Sequence, residues 1–237
     1  MTSEKFPFEI TVTPLAESAV LIRIGDCESI EPSVVDAVGS LTGAVDRARI
    51  ASVVDVVPAY ATILISFDPE ATDGGQIEHA IREIVATGVP TSETEPRTVI
   101  IPVAYGDDFG PDLAEVASVL SLTPDRVIDL HASAEYRIAF MGFSPGWAYL
   151  MGTPPELAIA RRHEPRTRVP AGSVSLGGGQ TGVYPSESPG GWHLLGRTPL
   201  RMFDPDRSEP FLLQPRDHVR FVPISAERFA AMANTGE

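Results

Sequence analysis

Apolar and polar positions change period several times along the first hundred or so residues. Residues 17–23 form a short apolar strand pattern. Val34, Val35, Val38 and Leu41 then recur at the spacing of one helix face, and Gly43 follows as a stop signal. Residues 50–57 and 61–67, rich in Val and Ile, read as two strands joined by a short hairpin link at 58–60. Ile77, Ile81, Ile84 and Val85 predict a second amphipathic helix ended by Gly88, and residues 98–103 predict another strand. The order β-α-β-β-α-β is that of a split, ferredoxin-like domain. Residues 88–97 have the composition of a linker or exposed loop.

Two short helices come next. Pro111 marks the start of one, with Leu113, Val116, Ala117 and Leu120 along a face, and Thr123 caps another that begins at Pro124. A helix-turn-helix reader of DNA is disfavoured by the acids around them: Asp107, Asp108, Asp112, Glu115, Asp125 and Asp129. From Glu135 the texture changes. Tyr136, Ile138 and Phe140 alternate, glycine and proline become frequent, and no long helical period returns before residues 225–233. Short strands among Gly/Pro turns predict a β-barrel or sandwich. The chain therefore divides into an α+β part, residues 1–92, and a mainly β part, residues 93–237.

Composition sharpens this. The chain has 237 residues and 43% hydrophobic content, enough for packed cores. No apolar run is long enough for a bilayer and the N-terminal segment MTSEKFPFEI is unlike a leader, so a soluble, cytoplasmic protein is expected. The single cysteine, Cys27, has no disulfide partner or nearby zinc ligand and reads as buried filler. A net charge of −14 argues against nucleic acid or anionic membrane as partners. The charge is uneven: residues 1–96 hold 16 acids and 5 bases, residues 161–220 hold 6 acids and 9 bases. Lys5 is the one lysine among 18 basic residues, which leaves no plausible site on this chain for biotin, a Schiff base or a P-loop lysine.

Four segments carry candidate chemistry. Gly142–Gly146, GFSPG, fits the G-x-S-x-G pattern, but Pro145 follows the serine and has no N–H for an oxyanion. It reads as a tight turn that lets Phe143, Trp147 and Tyr149 pack. Residues 177–182, GGGQTG, lack a P-loop ending and suit either close backbone approach to a ligand or a barrel corner. Arg161, Arg162, Arg166 and Arg168 are the densest basic cluster, stiffened by Pro165 and Pro170. They could grip a carboxylate or phosphate, or pair with the acidic N-terminal half. His193, after the Pro-Gly-Gly-Trp turn, is an acid/base candidate or a structural histidine. The five histidines show no metal-site spacing, so no bound metal is expected.

In order, YGDDFGPDLAEVA, FMGFSPGWAYL and EPRTRVPAGSVSLGGGQTGVYPSESPGGWHLLGRTP resemble the family of B-type 5-oxoprolinase subunits, also named allophanate hydrolase subunit 1 or kinase-inhibitor subunit I. VVPAYATILISFDP resembles its N-terminal element, so the likeness runs from about residue 15 to 223. The resemblance implies an α+β protein: a ferredoxin-like domain followed by a cyclophilin-like β-barrel. It implies a homologous second subunit and a third subunit, with ATP as co-substrate of the complex in opening 5-oxo-L-proline to L-glutamate. Other branches imply a urea carboxylase-type carboxyltransferase, for which biotin would come on another chain, or a histidine-kinase inhibitor. Carried onto this sequence, Arg166, Arg168 and Arg197 are expected to bind an anion. Gly178, Gly179, Gln180, Thr181, Tyr184 and Trp192 are expected to line the same cleft, with His193 as acid or base.

Overall fold

The computed structural model describes residues 6–26, 31–89 and 96–235. Cys27 and Lys5 lie outside the described residues. The chain forms two compact units, residues 1–95 and 96–237. The first contains strands β1 (Ile10–Pro14) and β2 (Ala19–Ile24), helix α1 (Pro32–Ala48), strands β3 (Val53–Pro58) and β4 (Thr62–Phe67), and helix α2 (Gly74–Thr87). The strands form an antiparallel sheet in the order β1-β2-β4-β3. Alternation buries Val20, Ile22 and Ile24 of β2 beside Ile63, Ile65 and Phe67 of β4. That face shares one core with Val34, Val38, Leu41 and Val45 of α1 and Ile77 and Ile81 of α2. Helix α2 starts where the Asp73 side chain accepts a 2.9 Å bond from the Gln76 N–H, and it ends at Gly88 as the pattern predicts.

Two expectations need correction. Helix α1 does not stop at Gly43: it continues to Ala48 and closes at Arg49, with φ 45°. Burial of Ala44 and Val45 outweighs the ~1 kcal/mol that glycine costs inside a helix. Nor do residues 98–103 complete the first sheet. They belong to the second unit, and the edge beside β2 is taken by β1, arriving from the opposite end of the domain. An antiparallel strand satisfies the β2 backbone equally well from either direction of the chain, so element order alone does not decide which strand fills the edge.

The second unit contains β5 (Thr98–Tyr105), α3 (Leu113–Val119), α4 (Pro124–Ser133), β6 (Tyr136–Met141), β7 (Ala148–Met151), β8 (Arg166–Val169), β9 (Ser173–Gly177), β10 (Gln180–Val183), β11 (Ser188–Gly190), β12 (His193–Arg197), β13 (His218–Pro223) and α5 (Ala226–Thr235). Seven strands close a barrel in the order β10-β7-β6-β13-β5-β12-β9, with β5 and β13 parallel and β8–β11 forming a separate ribbon. Closure leaves no open edge. Ile101, Val103, Tyr136, Ile138, Leu150, Val174, Val219 and Phe221 fill the interior. Leu113 and Val116 of α3 and Val127 and Leu130 of α4 pack with Leu176 and Leu195. The two short helices thus buttress the barrel.

One polar thread runs through this core. The Thr181 hydroxyl donates to the Ser175 carbonyl at 2.9 Å, so it must accept the 2.8 Å bond from His131 Nε2–H. That fixes His131 Nδ1 as the acceptor of the 2.7 Å bond from the Tyr105 hydroxyl. Every member is satisfied, and burial lowers the His131 pKa to about 3, keeping the ring neutral.

Candidate functional site

The aromatic residues that the Gly/Pro-rich half spaces along the chain converge in one cluster. Trp147 precedes β7, Tyr184 follows β10 and Trp192 precedes β12. Trp147 meets the other two edge to face, with centroids 4.9 Å from Tyr184 and 5.3 Å from Trp192. With Tyr149 and Phe143 they floor an open cleft of about 280 Å³, rimmed by Arg161, Arg162, Pro165 and the Pro189–Gly190–Gly191 turn. Gly190 is required by close approach: a β-carbon there would collide with the Tyr184 hydroxyl. That hydroxyl also bonds the Trp192 backbone and its pKa is raised by burial, so it stays neutral.

The charges around the cleft are organised by Asp112, just ahead of α3 and almost fully buried. Its carboxylate accepts two bonds from Arg166, at 2.8 and 2.6 Å, and one from Arg162 at 3.3 Å. It also accepts the Leu194 N–H at 2.7 Å, while the Asp112 N–H donates to the Leu194 carbonyl. Asp112 therefore ties the arginine segment to β12, next to Trp192. Arg162 gains a second carboxylate, Glu115, at 3.2 Å, and Arg168 pairs with Glu187 at 2.6 Å. Of the four clustered arginines, Arg161 alone has no carboxylate partner among the described residues; it lies 5.7 Å over the Trp192 ring.

The residues expected from sequence are only partly brought together. Tyr184 and Trp192 line the cleft. Arg166 sits behind it, neutralised by Asp112, and Arg168 is exposed on the β8–β11 ribbon. Gly178 and Gly179 form the two-residue turn of the β9–β10 hairpin, both at positive φ (64° and 72°), as such a turn demands. Gln180 begins β10 opposite Gly177, and Thr181 faces the barrel interior. Arg197 lines a different hollow of about 270 Å³ with Arg201 and Phe229, its Nε–H on the Ala171 carbonyl at 2.9 Å. His193 is buried, with Nε2–H donating to the Ala160 carbonyl at 3.1 Å, and does not line the cleft. Trp192 turns outward at the strand start and its neighbour turns inward, a consequence of period-two alternation.

Sequence reasoning left Arg161, Trp147 and Tyr149 out of the site, although Arg161 was visible in the basic cluster. Its distinction arises because Asp112 and Glu115, some fifty residues earlier, take its neighbours. The GFSPG turn joins β6 to β7 with Phe143 at φ 68°, the Ser144 N–H on the Gly142 carbonyl and the Trp147 N–H on the Ser144 carbonyl. It is a tight β-turn region, not a strand-to-helix elbow. A larger hollow of about 690 Å³ lies beyond Phe143, but its lining is mostly apolar and Glu209 is its one charged residue. The charge and the edge-to-face rings make the smaller cleft the candidate site. No cluster of metal-ligating residues occurs among the described residues.

The family model of the carboxyltransferase domain, subdomain C and D, matches residues 10–213. The chain belongs to this family. Over 230 residues it is 36% identical to the B subunit of 5-oxoprolinase from Bacillus subtilis, covering 93% of this chain and 95% of that protein. It is 56% identical over 131 residues to the same-named protein of Escherichia coli O157:H7, covering 55% and 60% of the two chains. Among solved structures, the Kluyveromyces lactis urea amidolyase superposes with a TM-score of 0.78 at 18% identity, covering all of this chain and 16% of that one. That likeness is one of fold.

Proposed function

We propose that this chain is the B subunit of a 5-oxoprolinase, a hydrolase that works as a complex. The observation that carries the reading is the likeness to the Bacillus protein along nearly the full length of both chains. The cleft supports it. Among the described residues its lining offers aromatic surface and a cationic rim but no carboxylate, histidine or cysteine, which suits a site that a second chain completes. In this reading the partners are a homologous second subunit and a third subunit, in the cytoplasm. ATP phosphorylates the lactam oxygen of 5-oxo-L-proline, turning a poor leaving group into a good one. Water then adds at the activated carbon, the adduct expels the ring nitrogen as the amine to leave the γ-acyl phosphate of glutamate, and a second water releases phosphate and L-glutamate. Co-expressing the three subunits and measuring glutamate formed from 5-oxoproline and ATP tests this; no glutamate from the assembled set refutes it.

A urea carboxylase-type carboxyltransferase is the second reading, favoured by the urea amidolyase fold. It needs biotin from another chain, since the one lysine here is Lys5. Carboxyl transfer from free carboxybiotin to urea, assayed with both homologous subunits present, separates the two.

A further inference from the structure

We infer that Arg161 is the carboxylate-recognising residue of the cleft, and that the cleft takes a small monoanionic ring while the nucleotide phosphates bind elsewhere in the complex. The inference rests on the reading of the chain as part of a 5-oxoprolinase and names what this site contributes to it.

The charges at the cleft do not cancel. The ionised residues lining it and directly behind it are Arg161, Arg162 and Arg166 against Asp112 and Glu115. Two arginines are matched by two carboxylates, which leaves one positive charge, on Arg161. A carboxylate balances that charge; a triphosphate brings several negative charges and would leave most of them unmet beside Asp112 and Glu115. Size points the same way. At about 280 Å³ the cleft falls just below the ~300–1,000 Å³ typical of drug-sized ligands, which suits one small ring better than a nucleotide.

Geometry supplies the orientation. Arg161 lies 5.7 Å over Trp192, so its planar fork is held by the ring instead of by an acid, and its N–H groups remain available. Trp192 itself is fixed by the edge of Trp147 and by the Tyr184 hydroxyl at its backbone. A flat five-membered lactam could stack in the space floored by these rings with its carboxylate on the guanidinium. Its amide would then point outward, toward the side a companion protein must complete. The base-free lining is what such a half-site requires.

The test uses the assembled three-subunit enzyme with phosphate release as the readout, and two substrates: 5-oxoproline and its uncharged carboxamide. Wild type should prefer the acid. Arg161→Gln should raise the KM for 5-oxoproline by ~10- to 100-fold, the scale of one lost charged hydrogen-bond pair. It should leave the KM for ATP within about twofold and abolish the acid-over-amide preference. Arg161→Lys should recover part of that preference, since it restores charge without the fork. A merely structural role for Arg161 would depress both substrates alike and so overturn the inference. An acid-over-amide preference that survives Arg161→Gln, or a raised KM for ATP with that for 5-oxoproline unchanged, also overturns it. If the wild-type assembly makes no glutamate at all, the 5-oxoprolinase reading itself falls, which is a separate result.

Discussion

Asp112 shows how much one residue can hold together. It is 3% exposed and takes bonds from two arginines and one backbone N–H. Removing one member of a buried ion pair strands the others, a loss of roughly 3–5 kcal/mol when all are buried. Arg162 and Arg166 keep about a quarter of their side-chain surface exposed, so water recovers part of that. Asp112→Asn should destabilise the barrel unit by ~2–3 kcal/mol, measured as a lowered urea midpoint. Both tryptophans, Trp147 and Trp192, sit in this unit, so their emission follows it in the full chain. The sequence displayed the arginine cluster and the acidic helix start, but not that they meet, because nothing local links residues fifty apart.

Among the elements, the β9–β10 hairpin is the most sharply specified. Residues 178 and 179 must both adopt positive φ, which glycine does freely and most residues do not. Gly179 has open space where a β-carbon would go, so Gly179→Ala isolates the backbone term and should cost ~1 kcal/mol of stability. Gly178→Asn should cost no more than ~0.5 kcal/mol, because Asn-Gly is a favoured pair for this turn. Comparison of the two urea midpoints checks both. At Gly190 the penalty is steric instead: Gly190→Ala drives a β-carbon into the Tyr184 hydroxyl and should displace the cleft floor, seen as a shift in tryptophan emission without unfolding. The glycine run was legible as either a ligand loop or a corner; the pairing of β9 with β10 makes it the turn of a hairpin.

The whole barrel carries a pH dependence set by His131. Its pKa is about 3 in the folded protein, against about 6.5 when unfolded, because burial penalises the charged ring. The depressed value means the stabilisation is fully present above pH 6.5. As pH falls below 6.5 the unfolded chain takes up a proton that the native state refuses, and stability declines by up to ~1.4 kcal/mol per pH unit toward pH 3. Urea melts of the full chain between pH 7 and 5, followed by tryptophan emission, should show this slope. His131→Leu should flatten it, at the expense of lower stability at pH 7, since Tyr105 and Thr181 lose their partner.

Patterns of period two and period 3.6 settled most of the elements, the α+β character and the mainly β nature of the Gly/Pro-rich half, because side-chain alternation and capping act within a few residues. The ordered motif strings were specific enough to indicate the family over most of the chain. Tertiary structure alone decided which strand fills the edge beside β2, that His193 turns inward while Trp192 faces the cleft, and that Arg161 has no carboxylate partner among the described residues. These outcomes depend on hydrogen-bond partners and ion pairs brought from distant parts of the chain. A short stretch of sequence fixes what a residue can bond, and only the closed barrel fixes what it does bond.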